Sequence, residues 1–310
     1  MLESIRIYLT ENCNANCSNC FNRNTRGKSY MEVEKFEKLC AYFNENSVPR
    51  IKIMGGEPTL HPDFARMTEI AQKYFKYVSV FTNGLCENLK TFKPRKNDGI
   101  VYNFRFSKMM TKKTLMLDKE GVRSLEVQIS GKTDADNLIS EIKRVVSYGE
   151  KIKVNLTLDC TENIFLHRKE ISNRYEKVWD LLTKAKVELR KDHVVPLCFL
   201  YGTKIPVYDS FSKCRLECTG LIDADCNLRH CNQFSERLIQ LFDGENIIPY
   251  KILINYLRAK HMELQTKVLN KLCKDCVFYE SHCNGGCYIA KDNISREDIF
   301  INTDFPLIKQ

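Results

Sequence analysis

No uninterrupted apolar run in this chain approaches the ~20 residues a membrane-spanning helix needs. The N-terminus, Met1-Leu2-Glu3-Ser4, has no basic stretch followed by an apolar one. Spanning helices and a secretory leader are therefore absent from the reading, and a soluble, cytoplasmic protein with no membrane partner is expected. There is no low-complexity tract and no internal repeat, which excludes solenoid and linker architectures. Glycine is scarce, 13 in 310 residues, so an adjacent pair of glycines is informative where it occurs. Hydrophobic residues make up 43%, enough for a real core, and the length allows more than one domain but fewer than three.

Cysteine is abundant, with fifteen in the chain. A reducing compartment keeps thiols unpaired, so clustered cysteines there point to metal or catalysis rather than to disulfides. The formal charge of +9 raises the question of nucleic acid. The basic residues are dispersed, however, apart from one denser band over residues 90–113. That band is either a solvated surface or a docking surface for an acidic peptide or another anionic partner. Three four-iron clusters, one on three thiolates and two on four each, would lower the net charge to about +4.

Strand-like and helix-like stretches alternate through the first half. Strands are expected over residues 4–9, 50–54, 77–81, 99–106, 124–129, 151–158 and 193–200. Helices are expected over 31–46, 63–74, 134–146 and about 164–185. Repeated βα units imply parallel strands with helices packed outside, and about six units are too few for a closed eight-unit barrel. The expected fold is α/β, a partial (β/α)6 TIM-like barrel over residues 1–205. A small cysteine-rich domain follows over 206–310, with a helix at about 252–272.

Three motifs fall where strands end. Cys13, Cys17 and Cys20 form CxxxCxxC directly after the first strand, with no fourth cysteine before Cys40. Three thiolates on one loop suit a four-iron cluster with one iron left open. Met54-Gly55-Gly56-Glu57-Pro58 ends the second strand; glycines admit a ligand close to the backbone, and a carboxylate beside them suits an ammonium group. Thr82-Asn83-Gly84 ends the third. Taken alone, Gly-Gly-Glu-Pro would be an ordinary turn.

Together, in this order, the motifs resemble the radical SAM superfamily over about residues 4–160. The resemblance implies a cluster on Cys13, Cys17 and Cys20 whose open iron binds S-adenosylmethionine. It also implies reductive cleavage to a 5′-deoxyadenosyl radical that abstracts hydrogen from substrate. Gly55, Gly56 and Glu57 would hold the methionine part; Thr82, Asn83 and Ser130 would lie near the cofactor. The family usually places an aromatic residue just before the third cysteine. Here Asn19 occupies that position and Phe21 follows Cys20, which implies altered adenine contacts.

The C-terminal cysteines are similar to the SPASM/twitch-like extension, which carries auxiliary four-iron clusters. Cys273-x2-Cys276-x6-Cys283-x3-Cys287 has one residue more than the usual spacing. The stretch from Leu221 to Cys231 resembles the extension's β-hairpin, with Cys226 where glycine is usual. The resemblance implies Cys214, Cys218, Cys231 and Cys287 at one cluster and Cys273, Cys276 and Cys283 at the other. Since no further cysteine follows Cys287, either Cys226 or another residue compensates, or only one cluster is complete. Structural zinc is the competing reading of these pairs.

The remaining candidates are weaker. Cys40 reads as core and Cys86 as structural. Cys160 and Cys198, near strand ends, are either structural or turned toward a cavity. His230 and His282 each precede a cluster cysteine and read as supporting residues, and His61 as turn chemistry. Asp159 and Glu162 read as helix caps as readily as bases, so no catalytic acid or base is assigned.

The first functional expectation is an enzyme that modifies a peptide or protein by crosslinking, oxidation or epimerisation. A flavodoxin or ferredoxin would donate the electron. With the first strand expected at residue 4, there is no room for a preceding peptide-recognition domain, so a separate recognition partner or a directly docked short substrate is expected. The second expectation is a small metabolite as substrate. The third, from another class, is a non-catalytic metal protein that binds nucleic acid; no recognition helix or aromatic–basic interleaving supports it.

Overall fold

A computed structural model describes residues 2–17, 20, 22, 27–150, 152–159, 167–191, 195, 197–200, 203–205, 219–232 and 236–272. The chain divides into two compact units. The first comprises Met1–Leu125, Gly149–Ile152 and Arg215–His261; the second comprises Glu126–Tyr148, Lys153–Cys214 and Met262–Gln310.

The first unit begins with β1 (Ser4–Thr10), α1 (Val33–Glu45), β2 (Arg50–Gly55), α2 (Phe64–Tyr74), β3 (Tyr77–Thr82) and β4 (Gly99–Asn103). β1 pairs with β2, β2 with β3 and β3 with β4, all in parallel. β1 is buried along nearly its whole length, as expected of a strand covered on both faces. α1 forms where the helical period predicts, and its apolar positions Val33, Phe36, Leu39, Cys40 and Phe43 are all buried. Cys40 is thus core. α2 starts just after Pro62 and buries Phe64, Met67, Ile70 and Ala71. His61 organises the turn before it. Its Nδ1 accepts from Asp63 N–H at 3.0 Å, so Nε2 carries the proton and donates to Met31 O at 2.9 Å.

β5 (Val122–Ile129) closes this stretch and carries the chain into the second unit. The second unit contains α3 (Ala135–Val146), β6 (Ile152–Leu158), α4 (Arg168–Lys184), β7 (Leu189–Lys191) and α5 (Leu197–Leu200). Asp134 caps α3, accepting from the N–H groups of Asp136 and Asn137 at 3.1 and 3.2 Å. β6 and β7 are parallel.

The chain then returns to the first unit through β8 (Thr219–Ile222), β9 (Asn227–Arg229), β10 (Ile239–Gln240), β11 (Phe242–Asp243), β12 (Asn246–Ile247) and α6 (Tyr250–Leu272). β8 and β9 form an antiparallel hairpin where one is predicted, and β8 also pairs in parallel with β1, Ser4 opposite Thr219 and Ile7 opposite Ile222. α6 rests against this region: Tyr250 accepts from Leu2 N–H at 3.1 Å, and Leu253 and Leu257 are fully buried. The architecture is the expected α/β fold with a parallel sheet. Among the described residues no helix is long and apolar enough to cross a membrane.

Two strands depart from expectation. The strand predicted over 99–106 stops at Asn103, whose side chain accepts from Arg105 N–H at 3.1 Å and caps a 3-10 turn over Phe104–Met109. A local side-chain bond there outcompetes the ladder. Of the strand predicted over 193–200, residues 197–200 form α5 instead, while 193, 194 and 196 lie outside the described residues.

Asp98 ties the outer layer to the sheet. Its fully buried carboxylate accepts from Val78 N–H (3.0 Å), Arg95 N–H (2.9 Å), the Arg95 guanidinium (3.0 Å) and Gln72 Nε2 (2.8 Å). Burial pushes this carboxyl up, but the Arg95 contacts and the other donors outweigh it and hold the group below the usual carboxylate range. A depressed native pKa stabilises the fold above the ordinary carboxylate value, and that contribution is lost as pH falls through the native one. Asp98→Asn is expected to cost about 2–4 kcal/mol by urea unfolding at neutral pH, and to flatten the acid limb of the stability profile.

Candidate active site

Parallel pairing of β1, β2 and β3 sets their C-terminal ends side by side, and each end carries one of the sequence motifs. The cysteine loop leaves β1, Gly55-Gly56-Glu57-Pro58 leaves β2, and Thr82-Asn83-Gly84 leaves β3. Loops at this end of a parallel sheet are where chemistry collects.

Glu57 joins the three. It is 1% exposed, and both carboxylate oxygens are engaged. Oε1 accepts from Thr59 N–H at 3.2 Å, from Thr59 Oγ1 at 2.5 Å and from Thr82 Oγ1 at 2.7 Å. Oε2 accepts from Asn83 N–H at 2.7 Å. Burial raises the Glu57 carboxyl above its ordinary value, and the Asn83, Thr59 and Thr82 donors pull against that rise. Sequence reasoning paired this carboxylate with an ammonium group; in the structure its partners are the chain's own hydroxyls and amides.

The cysteine loop is stitched to the same centre. Gly56 N–H donates to Thr10 O at 2.9 Å and Glu57 N–H to Asn12 O at 2.8 Å. Asn83 Nδ2 donates to Asn14 Oδ1 at 2.7 Å, while Asn83 Oδ1 accepts from Leu85 N–H at 2.9 Å. The two glycines permit this approach. A Cβ on Gly55 would fall on the Thr10 carbonyl, and one on Gly56 on the carbonyls of Asn12 and Glu11.

Cys13, Cys17 and Cys20 are all half-exposed on this loop. Ala15 N–H donates to Cys13 Sγ at 3.4 Å. Three accessible soft donors on one loop fit an iron–sulfur cluster. They do not converge in advance: among the described residues no group of three or more His, Cys, Asp or Glu side chains stands ready for a metal ion. Metal sites commonly reach their final geometry only with the metal.

Other predicted residues are more dispersed. Ser130 belongs to the second unit, and its hydroxyl serves the local turn, accepting from Lys132 N–H at 3.1 Å. Cys226 lies in the β8–β9 turn with φ +65°, which explains why glycine suits the position. Burial pushes its thiol up to about 12. Cys231, just past β9, is half-exposed. His230 is buried, its ring centroid 6.2 Å from that of His261. Cys86 donates to Thr59 O at 3.5 Å, a structural role. Asp159 is buried at the end of β6. Asn19, Phe21, Cys160, Glu162, Cys214, Cys218, Cys273, Cys276, His282, Cys283 and Cys287 lie outside the described residues, as does the side chain of Cys198.

Sequence reasoning missed the asparagines. Asn12, Asn14 and Asn22 each bond across the site, and the signal was visible: six asparagines fall between residues 12 and 24. It also missed Tyr8 and Thr59, whose roles depend on partners distant in sequence.

Residues 7–202 match the family model described as the radical SAM superfamily, and the chain belongs to that family. The family supports S-adenosylmethionine and a four-iron cluster as cofactors. Among curated relatives, a probable GTP 3′,8-cyclase of Pyrococcus abyssi is 31% identical over 93 residues, 28% of this chain. The chain spans only 30% of that protein's length. The probable GTP 3′,8-cyclase of Sulfurisphaera tokodaii is 23% identical over 268 residues, covering 78% of this chain and 85% of the relative.

Among solved structures, Streptococcus suis SuiB bound to precursor peptide SuiA superposes with a TM-score of 0.62 at 14% identity, over 99% of this chain and 74% of SuiB. Native anSMEcpe with bound AdoMet and Cp18Cys peptide gives 0.62 at 17% identity, over 96% of both chains. At these identities the likeness is one of fold.

The four donors around Glu57 leave no place for an amide NH2. Glu57→Gln is expected to destabilise the protein by about 1–3 kcal/mol in urea unfolding, because one N–H must then face another. Gly56→Ala should lose most S-adenosylmethionine cleavage in a reconstituted sample, since its methyl group would push the cysteine loop away. Normal cleavage by Gly56→Ala would show that the close approach is dispensable.

Proposed function

We propose that this enzyme cleaves S-adenosylmethionine reductively and takes a hydrogen atom from a peptide or protein side chain. When bound, the cluster and S-adenosylmethionine supply the radical. The chain's own residues hold, orient and shield. Cys13, Cys17 and Cys20 ligate three irons, and Gly55 and Gly56 leave backbone open to the methionine part. Glu57 keeps that backbone in register with Thr82 and Asn83. A flavodoxin or ferredoxin gives the electron.

The peptide half of the proposal rests on one observation, the fold likeness over nearly the whole chain to two radical SAM enzymes solved with peptides bound. The basic turn after β4 is compatible with an acidic peptide: Lys108, Lys112 and Lys113 are exposed. A separate chain would supply any further peptide recognition. In this reading residues 1–205 carry the radical chemistry and 206–310 form the SPASM/twitch-like domain. One or two auxiliary clusters there use Cys214, Cys218, Cys231, Cys273, Cys276, Cys283 and Cys287, with Cys226 a turn residue or a compensating ligand. A second reading, a small-metabolite substrate, draws on the GTP 3′,8-cyclase relatives, one of which aligns over 268 residues.

Deuterium transfer separates the two. Label from a peptide encoded beside the gene should appear in 5′-deoxyadenosine; transfer from labelled GTP, with none from any neighbouring peptide, would sink the peptide reading. Cys17→Ala should abolish cleavage of S-adenosylmethionine, whereas Cys283→Ala should spare uncoupled cleavage more than product formation. Iron analysis after anaerobic reconstitution should give about twelve irons per chain for three clusters, about eight for two and about four for one.

A further inference from the structure

Asn22 stands two residues beyond Cys20, where the cysteine loop ends, and it is 8% exposed. Its Nδ2 donates to Gly55 O at 3.0 Å. Its Oδ1 accepts from Tyr8 Oη at 2.9 Å, and Tyr8 is 1% exposed in the middle of β1. The direction of this chain of bonds is forced. Gly55 O only accepts, so the amide nitrogen must face it; the amide oxygen must then face Tyr8, whose hydroxyl donates.

The partner of Asn22 is not an arbitrary carbonyl. The start of the cysteine loop already grips the Gly55–Glu57 backbone, through Thr10 O to Gly56 N–H and Asn12 O to Glu57 N–H. Asn22 grips the same segment from the loop's far end. Cys13, Cys17 and Cys20 therefore sit on a bow of chain whose two feet both stand on residues 55–57. Tyr8 is fixed in turn on its other side, with the buried Arg229 guanidinium 5.9 Å from its ring centroid. Arg229 belongs to β9, two residues before Cys231.

We propose that Asn22 is a positioning residue that registers the cysteine loop against Gly55 and Gly56, with Tyr8 fixing the direction of its amide. The inference rests on the reading of this site as the place where cluster and S-adenosylmethionine meet. It specifies that one side-chain amide holds the far end of the cysteine loop to the methionine-binding backbone, as the Thr10 and Asn12 carbonyls hold the near end. Displacing reacting groups by about 1 Å is enough to cost on the order of 100-fold in rate, so the grip matters without touching cofactor or substrate.

The test uses full-length protein reconstituted without oxygen, as Asn22→Asp, Asn22→Ala and Tyr8→Phe beside wild type. Iron per chain, affinity for S-adenosylmethionine, the paramagnetic resonance signal of the reduced cluster with and without it, and thermal unfolding are measured. Iron loading should match wild type, because all three cysteines remain. Affinity should fall about tenfold in Asn22→Ala and at least as far in Asn22→Asp, with a smaller loss of about threefold in Tyr8→Phe. The signal change on adding S-adenosylmethionine should shrink in the same order.

Asn22→Asp decides between positioning and mere filling of space. It preserves size and the acceptor for Tyr8 but places an oxygen against Gly55 O. A packing role predicts that it is the mildest change at the site; the register role predicts one of the worst. Tyr8→Phe keeps the buried ring and guards against loss of fold as the cause. If Asn22→Asp and Tyr8→Phe bind S-adenosylmethionine as tightly as wild type, with the full signal change, the proposal is overturned while the site reading stands. If wild type itself loads iron but shows no signal change, both fall.

Discussion

A single buried carboxylate that finds every partner within its own chain organises the first unit of this protein. A desolvated Glu57 without donors would be costly in a way no neighbouring contact could offset. Thr59, Thr82 and Asn83 supply those donors, and because they come from two strand ends the carboxylate also fixes those ends relative to one another. The backbone of Glu57 and Gly56 extends the same constraint to the end of β1. The start of the cysteine loop is held to the Glu57 centre by these bonds.

The balance between order and openness across the site has a physical logic. The residues that shape it are buried and saturated with hydrogen bonds, whereas the three thiols remain half-exposed. Groups that hold a frame gain from being buried and paired, whereas a soft donor left near the surface stays accessible. Sequence motifs record only the first kind plainly. Glu57 stands out in the sequence beside two glycines; what the sequence does not record is that its carboxylate also ties the ends of β2 and β3 together.

That difference explains what was legible. The alternation of βα units was readable because burial imposes a period on each element, as at Val33, Phe36, Leu39, Cys40 and Phe43 of α1. The end of β4 was not, because Asn103 terminates it with a local bond that hydrophobicity does not register. The hairpin of β8 and β9 was visible from the pattern around Asp223 and Cys226, but its parallel seat beside β1 was not, since nothing in residues 219–222 names a partner more than 200 positions away. Cysteine spacing singled out Cys13, Cys17 and Cys20; the run of asparagines over residues 12–24 was visible too, but nothing in it told which of them bond across the site.

The pairing of β1 with β8 has a consequence for how the protein is made. The bonds that frame the site link residues 8 to 85, so that frame is complete once the first quarter of the chain has been synthesised. One edge of β1, however, must wait for Thr219–Ile222. At a translation rate of about 5–20 residues per second that wait is roughly 10–40 s. Throughout it, an apolar strand carrying Ile5, Ile7 and Leu9 presents an open hydrogen-bonding edge, the kind that recruits other chains. Shielding of that edge during synthesis is therefore one condition on the yield of folded protein.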